Sequence, residues 1–421
     1  MSKFCRSDLV SPGGNEKTDE LKALFAAVRA HIPTVTPCPE KDPYPEDGRI
    51  HAVFYEGEEC RGKKTRVFAY LGFPEGADAD TKVPAMVLVH GGGCHAWAPW
   101  VAYWVDRGYA AISFDFNGLV YNGSDHTYST DINLWAPDPE GHLPTDGLAS
   151  RGKPFSEQWY YYFIADIILA HNVLRSDPRV DPDRVGLTGI SWGGFASGTV
   201  LGYDPRFAFV APVYGCGFLD ASCALWGDWF RGEGVTDVWE PKLLLPEVKT
   251  PVLWVNGDND PFFPADCTTA SAAACANGEA LLVPSMIHGM DQGIDLPEIA
   301  RFADEHCGMG EGNIHLTELS IEASCVRVSF TLPADVESAE VCIYYRYSPL
   351  EYEPPRLKDC PDLIEPWKRA AGAAENENGC GTVGIPEGTV LYYVAVEGTV
   401  PVGVESYVIR ATSGVFRAGT E

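Results

Sequence analysis

The chain has 421 residues, of which 45% are hydrophobic, and its formal net charge is −28. This length favours two domains and a large core. The acidity argues against nucleic acid and against anionic membrane surfaces as partners, because both bind basic patches. We therefore expect a neutral substrate, no nucleic acid and no membrane.

The 13 cysteines contain no C-x-x-C pair and no zinc spacing, so we predict neither a metal nor a cofactor. The N-terminus lacks the apolar segment of a signal peptide, and no apolar run reaches the roughly 18 residues of a membrane span. Free thiols in a cytoplasmic enzyme are the simplest interpretation. A chain whose signal peptide had been removed would show the same pattern.

Residues 1–48 are predicted to form an N-terminal arm followed by one helix. Apolar side chains recur at helical spacing over 19–32, Thr18 is a candidate N-cap, and Pro33 ends the pattern. A proline-rich connector then leads into the next segment.

A mostly parallel, doubly wound α/β sheet is predicted over residues 49–310, because apolar strands alternate with helices there. The predicted strands are 50–55, 65–73, 84–90, 109–114, 184–190, 207–214, 251–256 and 280–283. The predicted helices are 98–107, 157–174, 193–201, 265–276 and 296–307. Two long irregular segments, 115–155 and 218–248, leave strand ends where ligands bind in such sheets.

The pattern changes near Gly312, and residues 311–421 are predicted to form a small all-β sandwich of roughly immunoglobulin-like size. Its predicted strands are the alternating runs 315–321, 326–332, 339–347, 390–396 and 405–411. The stretch 348–380 is expected to be a long connection between strands.

The stretch Gly189-Ile-Ser-Trp-Gly-Gly194 lies between a predicted strand and a predicted helix. It fits G-x-S-x-G, the nucleophile elbow, in which a tight turn projects a serine hydroxyl above the sheet. The motif alone also fits an ordinary glycine-rich turn. With suitable partners elsewhere in the chain, Ser191 is the candidate nucleophile.

A serine nucleophile needs a base and an acid, which follow in the order Ser, Asp, His in one large class of hydrolases. His288 follows a strand and precedes a glycine, whereas His306 falls in a predicted helix and His315 begins the β domain. Asp260 is the favoured acid, with Asp258 as its rival, whose alternative role is a turn cap. A calcium site at the two aspartates would lack further ligands at suitable spacing.

Two backbone N–H groups are expected to bind the oxyanion of the reaction. One is that of Trp192, and the other belongs to Gly92 or Gly93 in the run His90-Gly-Gly-Gly93. His90 itself is interpreted as orienting this loop.

Aromatic residues near the predicted strand ends are candidate substrate contacts. They are Tyr121, Trp135, Trp226 and Phe262. The alternative for loop aromatics of this kind is packing on the body of the domain.

Five stretches resemble the α/β-hydrolase superfamily, and more narrowly acetyl xylan esterase-like, dienelactone hydrolase and prolyl-oligopeptidase-like serine hydrolases. They are His90–Gly93, Trp104–Ile112, Val180–Gly194, Pro212–Gly217 and Asn256–Phe263. The resemblance covers about residues 65–307 and implies the α/β-hydrolase fold. It also implies Asp260 as the acid and His288 as the base.

The expected function is that of a serine esterase that removes small acyl groups, acetyl above all, from carbohydrates or related alcohols through an acyl-enzyme. Its partner would be a small-molecule or oligosaccharide ester, and assembly into a homo-oligomer is left open. The first alternative is a prolyl-oligopeptidase-type peptidase, although the N-terminal stretch is too short for the β-propeller of those enzymes. The second is a non-catalytic binding protein built on a hydrolase fold.

Overall fold

The computed structural model describes residues 9–123, 131–221, 227–350, 365–375 and 379–419. The chain divides into two compact units, each described by itself. The N-terminal unit comprises Gly13–Val213 and Gly232–Leu244. The C-terminal unit comprises Tyr214–Arg231 and Leu245–Glu421, together with Met1–Pro12.

The sheet of the N-terminal unit is antiparallel at one end and parallel at the other. Its strands are β1 (Val35–Pro37), β2 (Ile50–Cys60), β3 (Lys63–Gly72), β4 (Val83–Val89), β5 (Ala110–Phe114), β8 (Val180–Ile190) and β9 (Phe209–Val213), with β6 (Leu119–Tyr121) and β7 (Trp135–Pro137) forming a separate hairpin. The order is β1-β2-β3-β5-β4-β8-β9, and the β5-β4-β8-β9 pairs are parallel. The apolar strands β4 and β5 lie in the middle of this order because their side chains need cover on both faces.

The α-helices in the described part of the same unit are α1 (Glu16–Ala30), α2 (Ala98–Asp106), α3 (Trp159–Ser176) and α4 (Trp192–Val200). The first begins three residues earlier than expected, because Asn15 rather than Thr18 is its N-cap. The Asn15 side chain accepts the Thr18 amide, and the Thr18 hydroxyl accepts the Asn15 amide, which is a capping box. In α3 every residue from Trp159 to Leu174 is buried, as predicted for a helix that is apolar on nearly all sides.

Two parallel strands and four α-helices are found among the described residues in the α/β part of the C-terminal unit. They are α5 (Gly227–Phe230), β10 (Val252–Gly257), α6 (Ala265–Ala274), β11 (Gly278–Val283), α7 (Met290–Gly293) and α8 (Pro297–Cys307).

Two packed antiparallel sheets complete this unit. The strands are β12 (His315–Ile321), β13 (Cys325–Thr331), β14 (Ser338–Arg346), β15 (Lys368–Ala371), β16 (Ala373–Glu375), β17 (Cys380–Gly384), β18 (Leu391–Val402), β19 (Glu405–Thr412) and β20 (Phe416–Arg417). One sheet has the order β12-β13-β17-β16, and the other β15-β14-β18-β19 with β20 also on β18. Inward side chains of both sheets, among them Val328, Val341 and Val394, form one core.

The predicted fold class, a mostly parallel α/β sheet followed by a small all-β sandwich, is confirmed. Two details differ. The segment predicted as irregular after β5 contains the β6–β7 hairpin, and the expected long connection contains β15 and β16. The domain boundaries at residues 48 and 310 stay a prediction. No helix within the described ranges is long and apolar enough to cross a membrane.

Candidate active site

Ser191 occupies a strained turn between β8 and α4. Its φ of 57° and ψ of −113° lie where a residue with a side chain is rarely found, at a cost on the order of 1–3 kcal/mol. Backbone hydrogen bonds hold the turn, because the Ser191 amide donates to Val213 O at 2.9 Å and Ser191 O accepts from the Phe195 amide at 2.8 Å. The sequence folds into a sharp elbow at the serine.

Glycines on both sides of Ser191 permit this turn. A Cβ on Gly189 would collide with the carbonyl of Gly193, and a Cβ on Gly193 would collide with the carbonyl of Val89 at the end of β4. The strand and the helix therefore approach more closely than any side chain allows, as the spacing of the motif predicts.

The loop after β4 lies against the residue that follows the serine. A Cβ on Gly92 would collide with the indole of Trp192, and Gly93 has a φ of +73°. The buried His90 donates from Nδ1 to the carbonyl of Gly91 at 2.8 Å. Desolvation lowers the pKa of His90 to about 3, so its ring is neutral at pH 7. This contact fits a loop-orienting role for His90.

A carboxylate–imidazole pair lies in the C-terminal unit. The Nδ1–H of His288 donates to Oδ2 of Asp260 at 2.7 Å. The other oxygen of Asp260 accepts the amides of Phe262 at 2.8 Å and Phe263 at 3.0 Å. Asp260 is buried, whereas 16% of the His288 side chain is exposed. The carboxylate therefore fixes both the tautomer and the orientation of the ring.

Three aromatic rings surround the imidazole of His288. Phe262 meets it edge-on at 4.9 Å, Phe263 lies parallel at 5.9 Å and Tyr214 is tilted at 4.7 Å between ring centroids. Tyr214 also donates its hydroxyl to the carbonyl of Ile287 at 2.7 Å. Tyr214 is not among the site residues predicted from the sequence, although it lies directly after β9, where functional residues of parallel sheets gather.

Asp258 makes different contacts. Its Oδ1 accepts the amide of Ser285 at 3.0 Å, and its Oδ2 accepts the hydroxyl of Tyr393 at 3.0 Å. Desolvation raises the pKa of Asp258 to about 6. The carboxylate that contacts the His288 ring is therefore that of Asp260.

The two other histidines after the acid loop have structural surroundings. His315 contacts Glu279 at 3.6 Å and Glu305 at 3.0 Å, and these contacts raise its pKa to about 10. His306 packs edge-on against Phe302, with 4.4 Å between ring centroids.

The candidate substrate contacts fall into three groups. Tyr121 and Trp135 are 2% and 7% exposed and face each other across the β6–β7 hairpin. Trp135 also stacks on His95 at 4.2 Å, so both rings pack against the body of the unit. Phe262 contacts His288, and Trp226 lies outside the described residues. A role for any of them in substrate binding stays a prediction.

In the described part of the chain, no group of three or more His, Cys, Asp or Glu side chains could hold a metal ion.

Two family models match the chain in overlapping regions. The acetyl xylan esterase (AXE1) model matches residues 40–219, and the prolyl oligopeptidase family model matches residues 146–309. The probable dipeptidyl-peptidase 5 of Aspergillus clavatus is 28% identical over 159 residues, which are 36% of this chain. The match spans only 19% of the length of that relative.

Solved structures of acetyl xylan esterases are similar over most of their length. Acetyl xylan esterase 1 from Thermoanaerobacterium sp. JW/SL YS485 gives a TM-score of 0.52 at 17% identity, covering 71% of this chain and 95% of its own. The acetyl xylan esterase from Paenibacillus sp. R4 gives 0.55 at 18% identity, covering 71% and 96%. At such identities the likeness shows the fold. The chain therefore has the fold of the α/β-hydrolases, and parts of its sequence are similar to the acetyl xylan esterase and prolyl oligopeptidase families.

Proposed function

We propose that this protein is a serine esterase that releases small acyl groups, acetyl in the first place, from esters of carbohydrates or related alcohols. The observation that carries the proposal is the left-handed conformation of Ser191 at the junction of β8 and α4. The glycines on both sides of Ser191 let the strand and the helix approach more closely than a side chain would allow. Strain of this kind persists where function needs it. The Asp260–His288 pair supplies the acid and base that such a serine requires.

The proposed reaction begins with attack of the Ser191 hydroxyl on the ester carbonyl. Because Asp260 holds the proton on Nδ1, the lone pair of His288 Nε2 accepts the serine proton. The tetrahedral intermediate then collapses, His288 protonates the leaving alcohol and an acyl-serine remains. Water attacks the acyl-serine with His288 again as base, which releases the carboxylic acid and restores the serine.

The negative charge on the intermediate requires preorganised donors. Trp192 is the first residue of α4, where the N–H groups point out of the helix end and the helix dipole favours an anion. The loop of Gly92 and Gly93 is the proposed source of the second donor. This loop lies so close to the Trp192 indole that a Cβ on Gly92 would collide with it.

We favour esterase activity over peptidase activity because this chain covers far more of the esterase structures than of the peptidase relative. The two acetyl xylan esterase structures are covered over 95% and 96% of their length, whereas the curated peptidase relative is covered over 19%. A prolyl-oligopeptidase-type peptidase is the second candidate, because that family model spans residues 146–309 and therefore includes Ser191, Asp260 and His288.

The test is a parallel screen of acetylated sugars, acetylated xylo-oligosaccharides, p-nitrophenyl esters of increasing chain length and proline-containing dipeptide amides. We expect acetate release from the sugar esters and the highest kcat/KM for the shortest acyl chain. Cleavage of peptide amides without ester turnover would replace this proposal with the second candidate. Absence of turnover on every substrate would instead support a binding protein.

Gly92→Ala tests the proposed oxyanion loop. The added methyl group must displace either the loop or the Trp192 indole, so we expect kcat for p-nitrophenyl acetate to fall about 10²–10³-fold, the loss typical of one missing oxyanion donor. Gly310→Ala is the matched control, because a Cβ there meets nothing closer than 3.7 Å. Equal activity of the two variants would remove the loop from the mechanism.

We also propose, from the state of the cysteines, that the protein works in a reducing compartment. Each cysteine within the described ranges for which a state is assigned is a free thiol, as at Cys216 and Cys267, which favours the cytoplasm. Fractionation of the native host would test this location.

A further inference from the structure

Asp258 lies at a point where three segments of the C-terminal unit meet. It follows β10 directly and precedes Asp260 by two residues. Its side chain is 2% exposed. One carboxylate oxygen accepts the amide of Ser285, in the turn that carries His288, and the other accepts the hydroxyl of Tyr393 in β18. A single buried carboxylate thus links the acid loop, the base loop and the β-sandwich.

The turn that carries His288 needs such support. Ser285 has a φ of 59°, a left-handed conformation that is costly for a residue with a side chain. Gly257 is packed so closely on this turn that a Cβ there would collide with the carbonyl of Met286. The hydrogen bond from Ser285 to Asp258 ties the strained turn to β10 three residues before the base.

The β-sandwich holds Asp258 with two hydrogen bonds. Besides the Tyr393 hydroxyl, the indole Nε1 of Trp367 donates to the carbonyl of Asp258 at 2.8 Å. Tyr393 is fully buried and stacks on Tyr344 at 4.9 Å, and Trp367 meets Tyr393 edge-on at 5.1 Å. These three rings belong to an apolar cluster that also contains Ala265 and Leu282, so both donors lie where the β-sandwich packs on the α/β part of this unit.

The link is continuous with a wider attachment of the sandwich to the α/β part of the same unit. Thr412 of β19 accepts the amide of Leu282 at 2.9 Å and donates to the carbonyl of Ala280 at 2.8 Å. The amide of Val415 donates to Thr269 of α6 at 2.8 Å. Strand β11, which leads into the His288 turn, is therefore hydrogen-bonded to the sandwich at Ala280 and Leu282.

We propose that Asp258 is a positioning residue through which Tyr393 and Trp367 of the β-sandwich fix the turn that carries His288. The proposal rests on the proposed esterase function for its kinetic consequence. It assigns the β-sandwich a role in catalysis, which is to hold the turn that carries His288 in its active geometry. Asp258 does not touch the reacting atoms and acts only through the Ser285 turn.

Tyr393→Phe is the test variant and Tyr344→Phe is its matched control. The two rings lie opposite each other in the β14–β18 pair, and each variant loses one tyrosine hydroxyl. The Tyr344 hydroxyl donates to Glu397 at 2.7 Å, so its removal leaves the hydrogen bonds of Asp258 in place. The comparison therefore separates the link to Asp258 from the stability of the sandwich.

Two measurements decide the outcome. We expect Tyr393→Phe to lower kcat for p-nitrophenyl acetate about tenfold with KM within about twofold, because misplaced catalytic groups reduce turnover more than binding. We also expect amide hydrogen exchange in the peptide 284–289 to rise about tenfold. Tyr344→Phe should change neither value by more than about twofold.

The hydrogen-exchange measurement needs no substrate and so separates this proposal from the esterase assignment. If the wild-type protein hydrolyses no ester but exchange rises only in Tyr393→Phe, the positioning link stands and the esterase proposal fails. If the two variants match each other in kcat and in exchange, the link through Asp258 is wrong, whatever the substrate is.

Discussion

Ser191→Ala is expected to lower kcat for p-nitrophenyl acetate by at least about 10⁴-fold, because the acyl-enzyme has no other site at which to form. Loss of the nucleophile in a serine hydrolase typically costs up to about 10⁶-fold in kcat, and the remaining rate comes from the oxyanion hole and binding. The side chain is small and lies at a turn held by backbone hydrogen bonds. Alanine at this position therefore leaves the fold and the melting temperature nearly unchanged.

Stopped-flow kinetics and intact-protein mass spectrometry after acid quenching would check this expectation. Wild type should accumulate a mass adduct of one acyl group, and Ser191→Ala should show none. Ser176→Ala is the matched control, since its hydroxyl donates to Val173 O within the last turn of α3. A variant without Ser191 that retains more than a tenth of the wild-type rate would exclude this serine as nucleophile.

Asp260→Asn is expected to lower kcat about 10⁴-fold, by reversing the tautomer of His288. One oxygen of Asp260 must continue to accept the amides of Phe262 and Phe263, so the asparagine oxygen occupies that position. Its NH₂ group then faces Nδ1 of His288. Two donors cannot share a hydrogen bond, and the ring proton moves to Nε2, where it blocks acceptance of the serine proton.

The comparison for this variant is Asp258→Asn, which changes the same functional group two residues earlier. Because Asp258 contacts Ser285 and Tyr393 instead of His288, we expect a loss of only about tenfold. Steady-state kcat from pH 6 to pH 9 on short-chain esters measures both. A reversed ranking of the two variants would make Asp258 the acid.

The elbow at Ser191 shows how far local sequence patterns reach. The spacing of Gly189, Ser191 and Gly193 predicted a strand, a turn and a helix, and the structure has β8, α4 and a left-handed serine there. The pattern is informative because the constraint is short-range: a Cβ at either glycine would collide with backbone a few residues away or in the neighbouring strand. Parallel strands likewise read as continuous apolar runs, so most of the α/β fold was predictable.

The aromatic residues proposed as substrate contacts show what local sequence patterns do not predict. Tyr121 and Trp135 were predicted to contact substrate because they lie in a loop after β5, yet both are buried in a hairpin that packs on His95. Composition cannot tell a loop aromatic that lines a cleft from one that fills the core, because the difference depends on what lies opposite it. Their part in binding is still to be measured.

The amino-acid sequence by itself determined the fold class, the strained serine turn and the two candidate acids, since each follows from periodicity or from residue types at fixed spacing. Only the tertiary structure decided which carboxylate hydrogen-bonds His288 and what Asp258 does instead. Asp258 and Asp260 are two residues apart, and no local rule aims one at His288 and the other at Tyr393, 135 positions further on. Hydrogen bonds between distant segments depend on how whole domains pack, and that packing places the β-sandwich against the loops of the candidate acid and base.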